Sequence, residues 1–224
     1  MIRKIAAVEI EMTQLLHNRY LAVPSSGKGP GVLVLHAWWG LNPFFKSVCT
    51  RLAEQGFVVF APDLNNGLVA HSVAEAEALM QARDPQAGGE IVLAAKDFLL
   101  AHPACRSSSL GAMGFSMGAG WSLWLASQAA EEVAATVLFY GIGEADPKRI
   151  KSKILGHFSP KDTWESYDYV QKVEQDLRNA GVEVTFHAYP GVAHWFVETD
   201  RPEYDPAAAK LAWERTFEFL KKNL

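Results

Sequence analysis

The sequence predicts an α/β fold built on a mostly parallel sheet with helices on both faces, gathered into a single domain spanning residues 1–224. Three observations carry this expectation. Short apolar runs alternate with amphipathic stretches along most of the chain, the pattern of strands connected by crossover helices. Gly31-Val32-Leu33-Val34-Leu35-His36 is an unbroken apolar run, as expected of a central strand covered on both faces. Gly114-Phe115-Ser116-Met117-Gly118 falls where an apolar strand runs into a small-residue helix, Trp121-Ser122-Leu123-Trp124-Leu125-Ala126.

Taken in order, Val8, Ile10 and Met12 alternate with Glu9 and Glu11, the period of a strand with one wet face. Tyr20 to Val23 offers it a partner, so residues 1–30 read as an edge hairpin and loop. From Pro43, Phe44, Val48, Leu52 and Ala53 recur at helical spacing until Gly56, and Phe57-Val58-Val59-Phe60 is the next strand. Helical stretches follow around Ser72 to Ala82 and Gly89 to Ala101, then the strand into Ser116. Val133 to Tyr140 and Ile154 to Ser159 are further strands. Trp164, Tyr167, Val170, Val173 and Leu177 mark an amphipathic helix ended by Gly181, and Val182 to Ala188 is the last strand. The final helix opens with Asp205 as N-cap and Pro206 in its first turn, burying Ala209, Trp213, Phe217 and Leu220.

Composition narrows the function classes. Of 224 residues 49% are hydrophobic and 21% charged, and the net charge of −4 gives no reason to expect a nucleic-acid partner. No run is long and uncharged enough to span a bilayer. Met1-Ile2-Arg3-Lys4 could imitate the start of a signal sequence, but Glu9 and Glu11 intervene before any apolar core develops, so a cytoplasmic location is the expectation. The two cysteines, Cys49 in a helix and Cys105 in a loop, have no metal-like or redox spacing and are read as reduced. No cofactor or metal is expected.

The chemistry centres on Ser116. A strand that turns this sharply into a helix tolerates only small residues two positions before and after the serine, here Gly114 and Gly118. The bland reading is a serine in a glycine-rich turn that packs a helix close to a strand. A nucleophilic serine needs a base and a group to orient the base. Among the later histidines, His157 lies inside an apolar strand and His187 in the middle of the last one, so both read as structural. His194 follows the carboxyl end of that strand in Pro190-Gly191-Val192-Ala193-His194, where it can reach the serine. Asp162 holds the matching place after its own strand, with capping of a helix near Thr163 as its ordinary role; Asp146 is the weaker alternative. The backbone N–H groups of Trp38 and Met117 are the candidate oxyanion donors, and Trp38, Trp39, Trp195 and Phe196 the candidate pocket wall. For Trp39, packing against neighbouring helices is an equal reading.

Five segments in order, Leu35-His36-Ala37-Trp38-Trp39-Gly40-Leu41-Asn42, Ala61-Pro62-Asp63-Leu64, Gly114 to Gly118, Asp162, and Gly191 to His194, resemble the dienelactone hydrolase family. The resemblance covers the chain from about Gly31 onward. It implies an α/β-hydrolase fold with about eight strands, a triad of Ser116, Asp162 and His194, and hydrolysis of carboxylic esters or lactones. The enzymes that give the family its name use cysteine where Ser116 stands and glutamate where Ala37 stands. They also hold a substrate carboxylate with arginines, one at the position of Glu198; Arg83 is a candidate for another. Glu198 would repel an anionic substrate.

The expected function is therefore metal-free serine hydrolysis of a neutral or weakly polar ester or lactone through an acyl-enzyme. Dienelactone hydrolysis and a non-catalytic binding module are the alternatives. Only about a dozen residues, Gly141 to Ser152, link two successive strands, which leaves no room for a large cap domain and predicts a fairly open, aromatic cleft.

Overall fold

Residues 18–224 are described by the structure, a computed structural model. The strands are β1 (Arg19–Ala22), β2 (Gly29–Leu35), β3 (Val58–Pro62), β4 (Cys105–Phe115), β5 (Val133–Phe139), β6 (Lys153–Phe158) and β7 (Val184–Ala188). The helices are α1 (Pro43–Glu54), α2 (Val73–Gln81), α3 (Pro85–Ala101), α4 (Met117–Gln128), α5 (Tyr167–Asn179) and α6 (Pro206–Asn223). Among the described residues the sheet has seven strands in the order β1-β3-β2-β4-β5-β6-β7, and no cap domain interrupts it. Every neighbouring pair is parallel except β1 with β3. The link from β5 to β6 holds only a short 3₁₀ turn, Pro147–Arg149, whose N-cap is Asp146.

The period-2 rule explains how the sheet is covered. In β2, Val32 and Val34 face one cluster while Leu33 and Leu35 face the other, and all four are fully buried. The first cluster is closed by α1 and α6 through Phe45, Leu52, Trp213 and Leu220. The second is closed by α3, α4 and α5 through Val92, Leu99, Leu123 and Leu177. Caps set the helix starts: Asn42 Oδ1 accepts from Phe45 N at 3.1 Å, and Asp205, the expected N-cap, accepts through Oδ1 from Ala208 N at 2.8 Å.

Three expectations change, and one lies outside the described residues. The segment Val8 to Met12 lies outside the described residues, and within them Tyr20 pairs with Ala61 of β3. Cys105 is the first residue of β4, not a loop residue, and both cysteines are free. The helix expected from Thr163 starts at Tyr167 with Ser166 as N-cap, so Trp164 stands outside it. Its three-residue spacing from Tyr167 imitates helical periodicity, which a turn can reproduce by accident. Phe217 is only partly buried on α6.

Register aligns the strand ends that matter. Leu35 pairs with Gly114, Phe115 with Phe139, Phe139 with His157 and Phe158 with Ala188, so the residues that follow β2, β4, β6 and β7 emerge on one rim. At that rim a Cβ on Gly114 would overlap the Gly118 carbonyl, and a Cβ on Gly118 would overlap the Leu35 carbonyl. Gly114→Ala is therefore expected to cost more than about 3 kcal/mol, because backbone and not a flexible side chain would have to move. Urea unfolding checks this, and a wild-type midpoint would contradict it.

Candidate active site

Ser116 caps α4 with φ 51° and ψ −116°, a strained conformation held by its N–H to Phe139 O at 2.8 Å. The strain lifts Oγ out of the sheet. His194 Nε2 lies 2.9 Å from Ser116 Oγ, and His194 Nδ1 lies 2.6 Å from Asp162 Oδ2. An ionised Asp162 accepts from Nδ1–H, which leaves the Nε2 lone pair facing the serine hydroxyl. Asp162 Oδ1 is engaged as well, accepting from Trp164 N at 2.8 Å and Glu165 N at 3.0 Å. The side chains of His194 and Asp162 are only 5% and 2% exposed, so the pair is shielded from water.

Neighbouring contacts hold these loops in place. Ser159 Oγ donates to Val192 O at 2.5 Å, tying the loop of Asp162 to the loop of His194. His36 joins the ends of β2 and β3: its Nε2 accepts from Leu64 N at 2.9 Å, so Nδ1 donates to Ala37 O at 2.6 Å. Asn65 Nδ2 donates to Trp38 O at 3.0 Å, which orients the Trp38 peptide. Burial works to raise the Asp63 carboxyl, but the nearby His36 ring and hydrogen bonds donated by Asn65 N and Gly67 N outweigh it and hold Asp63 below the ordinary range. The N–H groups of Trp38 and Met117 find no acceptor among the described residues, and both residues face the cleft beside Ser116.

That cleft has a volume of about 200 Å³ and is bordered by Trp38, Met80, Ser116, Met117, Trp164, Glu165, His194 and Trp195. Trp39 and Phe196, expected in its wall, do not border it. Trp39 is 1% exposed and lies beneath the Arg201 guanidinium, 3.5 Å from the ring centre, while Phe196 is fully buried against Tyr140 and Tyr189. Sequence reasoning misses Met80, Trp164 and Glu165. Ser166 before Tyr167 is a helix-start signal that releases Trp164 to the loop. For Glu165 and Met80 the residue types carry no such signal.

His157, His187, Asp146 and Arg83, the other titratable groups weighed from the sequence, lie outside the cleft lining. His157 is fully buried between Tyr189 Oη at 2.8 Å and Thr216 Oγ1 at 3.0 Å, and burial holds its pKa well below the ordinary histidine value. His187 stacks beside it, with ring centres 6.0 Å apart. Asp146 caps its 3₁₀ turn through Lys148 N at 3.0 Å. Arg83 engages Asn65 Oδ1 and Met117 Sδ, and it does not itself border the cleft. Burial lowers its pKa, opposed by the charge of Asp63.

Glu198 overturns one expectation about substrate. It is fully buried and absent from the cleft, so it cannot repel a bound anion by contact. Its Oε1 accepts from Tyr140 Oη at 2.8 Å, its Oε2 has no hydrogen-bond partner among the described residues, and burial pushes its pKa up to about 8. Tyr140 in turn packs edge-on to His194, ring centres 4.9 Å apart. Because the folded pKa exceeds the ordinary 4.5, the native state keeps a proton that the unfolded chain has lost between about 4.5 and about 8. Stability from this group therefore falls as pH rises through that window. Glu198→Gln should match wild type in Tm below pH 4.5 and exceed it by several degrees at pH 8.5. Superimposable Tm profiles would show that Glu198 does not titrate this way.

Comparison with known proteins identifies the scaffold. The model of the dienelactone hydrolase family matches residues 18–224. "Protein usf" of Aquifex pyrophilus is 36% identical over 231 residues, covering 97% of this chain and 98% of that protein. A carboxymethylenebutenolidase of Rhodococcus opacus is 24% identical over 216 residues, covering 91% and 85%. The crystal structure of a dienelactone hydrolase-like promiscuous phosphotriesterase from metagenomic libraries has a TM-score of 0.79 at 25% identity, covering 89% of this chain and 88% of that one. With its parallel sheet, its strained serine at the end of β4 and this match over nearly the whole chain, the protein belongs to the dienelactone hydrolase family, as an α/β-hydrolase of carboxylic esters or lactones.

Proposed function

We propose that the chain is a serine hydrolase that cleaves carboxylic esters or lactones through an acyl-enzyme on Ser116. The observation that carries this reading is the continuous chain of hydrogen bonds from Ser116 Oγ to His194 to Asp162. As Oγ attacks the substrate carbonyl carbon, His194 Nε2 takes the hydroxyl proton, and Asp162 stabilises the imidazolium. The carbonyl π electrons move onto oxygen, and the N–H groups of Trp38 and Met117 hold that oxyanion. Met117 is the first residue of α4, so the positive end of the helix dipole adds to its effect. Collapse of the tetrahedral species breaks the bond to the leaving oxygen, which receives the proton from His194. A water deprotonated by the same nitrogen then attacks the acyl carbon, releasing the acid and restoring Ser116.

Ala37 fits a serine mechanism. A hydroxyl served directly by His194 needs no second carboxylate to activate it. The volume of about 200 Å³ favours short acyl or alcohol groups. We also propose that the chain acts as one domain. No described helix is long and apolar enough to cross a membrane, and two free cysteines suit a cytoplasmic setting.

A fluorophosphonate probe is expected to label wild type at Ser116. Ser116→Ala should abolish labelling and lower kcat on short-chain aryl esters by about 10⁴-fold or more, with His194→Gln giving a loss of similar order. A panel of acyl lengths run beside dienelactone then reads the pocket. Retention of wild-type kcat by Ser116→Ala would remove Ser116 from the mechanism.

A further inference from the structure

The wall of the cleft combines three indole rings with one carboxylate. Trp164 meets Trp38 at a ring-centre distance of 5.1 Å and Trp195 at 5.5 Å, and Trp38 stacks on Trp195 at 6.1 Å. Trp38 and Trp195 are nearly buried, whereas Trp164 is 48% exposed and stands at the outer edge. Beside them is Glu165, whose Oε2 accepts from Ile142 N at 2.9 Å while its Oε1 takes no hydrogen bond among the described residues. Glu165 and Trp164 owe their place to the same atom, Asp162 Oδ1, which accepts from both of their backbone N–H groups. The described residues that border the cleft include no lysine or arginine. Arg83 contacts the Met117 sulfur without bordering the cleft, and its charge is opposed by Asp63.

Indole faces attract a cation through the ring quadrupole, and a carboxylate at the same site adds a direct charge interaction. An anion placed there would meet Glu165 with no cationic side chain on the wall to offset it. We propose that the cleft is a subsite for a cationic group, of the alkylammonium class, so that the substrates taken best are small esters carrying a positive charge next to the scissile carbonyl. Glu165 supplies the charge selection and Trp164 the exposed aromatic face. This rests on the serine hydrolase reading for turnover, but the subsite itself does not.

The experiment uses two acetate esters of equal shape, acetylcholine and its carbon isostere 3,3-dimethylbutyl acetate, on wild type and Glu165→Gln. The amide oxygen of the variant can still accept the Ile142 N–H, so the fold is preserved. Wild type should favour the cationic ester by about tenfold in kcat/KM, and the variant should bring that ratio toward one. Tetramethylammonium is titrated in parallel by tryptophan fluorescence against sodium at equal ionic strength; saturable quenching in wild type and about five- to tenfold weaker binding in the variant are expected. A wild-type ratio near one, a ratio that survives in Glu165→Gln, or the absence of saturable tetramethylammonium binding overturns the proposal. Failure of turnover and of Ser116 labelling, with tetramethylammonium binding that depends on Glu165, overturns the hydrolase reading and upholds the subsite.

Discussion

Backbone contact at the turn after β4 constrains everything at this rim. Gly118 lies against the carbonyls of Leu35 and His36, and Gly114 lies against Gly118, so β2, β4 and the first turn of α4 meet with no side chain between them. This contact puts Ser116 into a positive-φ conformation that a relaxed serine avoids, and the hydrogen bond to β5 holds it there. Three packed elements thus supply the energy that keeps the hydroxyl raised. A serine on a loop would relax.

The same rim collects contributions that are far apart in the chain. Asp162 leaves from β6, His194 from β7 and Trp38 from β2, and the loop of each is tied by a bond outside the chain that runs from Ser116 through His194 to Asp162. Ser159 joins two of these loops, and Asn65 and His36 anchor the third. Below His194, Tyr140 and Glu198 form a buried polar pair in which the carboxyl is held largely neutral, a state that burial imposes; Arg201 Nε is 4.0 Å from Glu198 Oε2, too far for a hydrogen bond. The imidazole consequently rests on an aromatic edge backed by a largely neutral acid. The negative charge it leans on is that of Asp162.

Asp162 engages two parts of the site at once. One oxygen orients His194 and the other folds the short turn that presents Trp164 and Glu165. The helix cap anticipated for this aspartate becomes a cap on an isolated turn, because α5 begins four residues later than expected. A substitution at 162 therefore disturbs both the contact to His194 and the wall of the cleft.

Periodicity and chain order were enough to read the parallel sheet, the sharp turn at Ser116, the candidacy of His194 and Asp162, and the structural character of His157 and Asp146. Those features are local: an apolar run, a glycine spacing, a loop at the end of a strand. What the tertiary structure decided is which side chains share the cavity. Trp38 and Trp39 are adjacent and of one type in the same turn, and only the packing of Arg201 over Trp39 determines which one is covered. Glu198 and Glu165 are both glutamates near the site, but one is enclosed and the other borders the cleft. Residue type and spacing encode the tendency to be buried or exposed, whereas the direction in which a loop side chain points depends on contacts from segments that the local pattern does not contain.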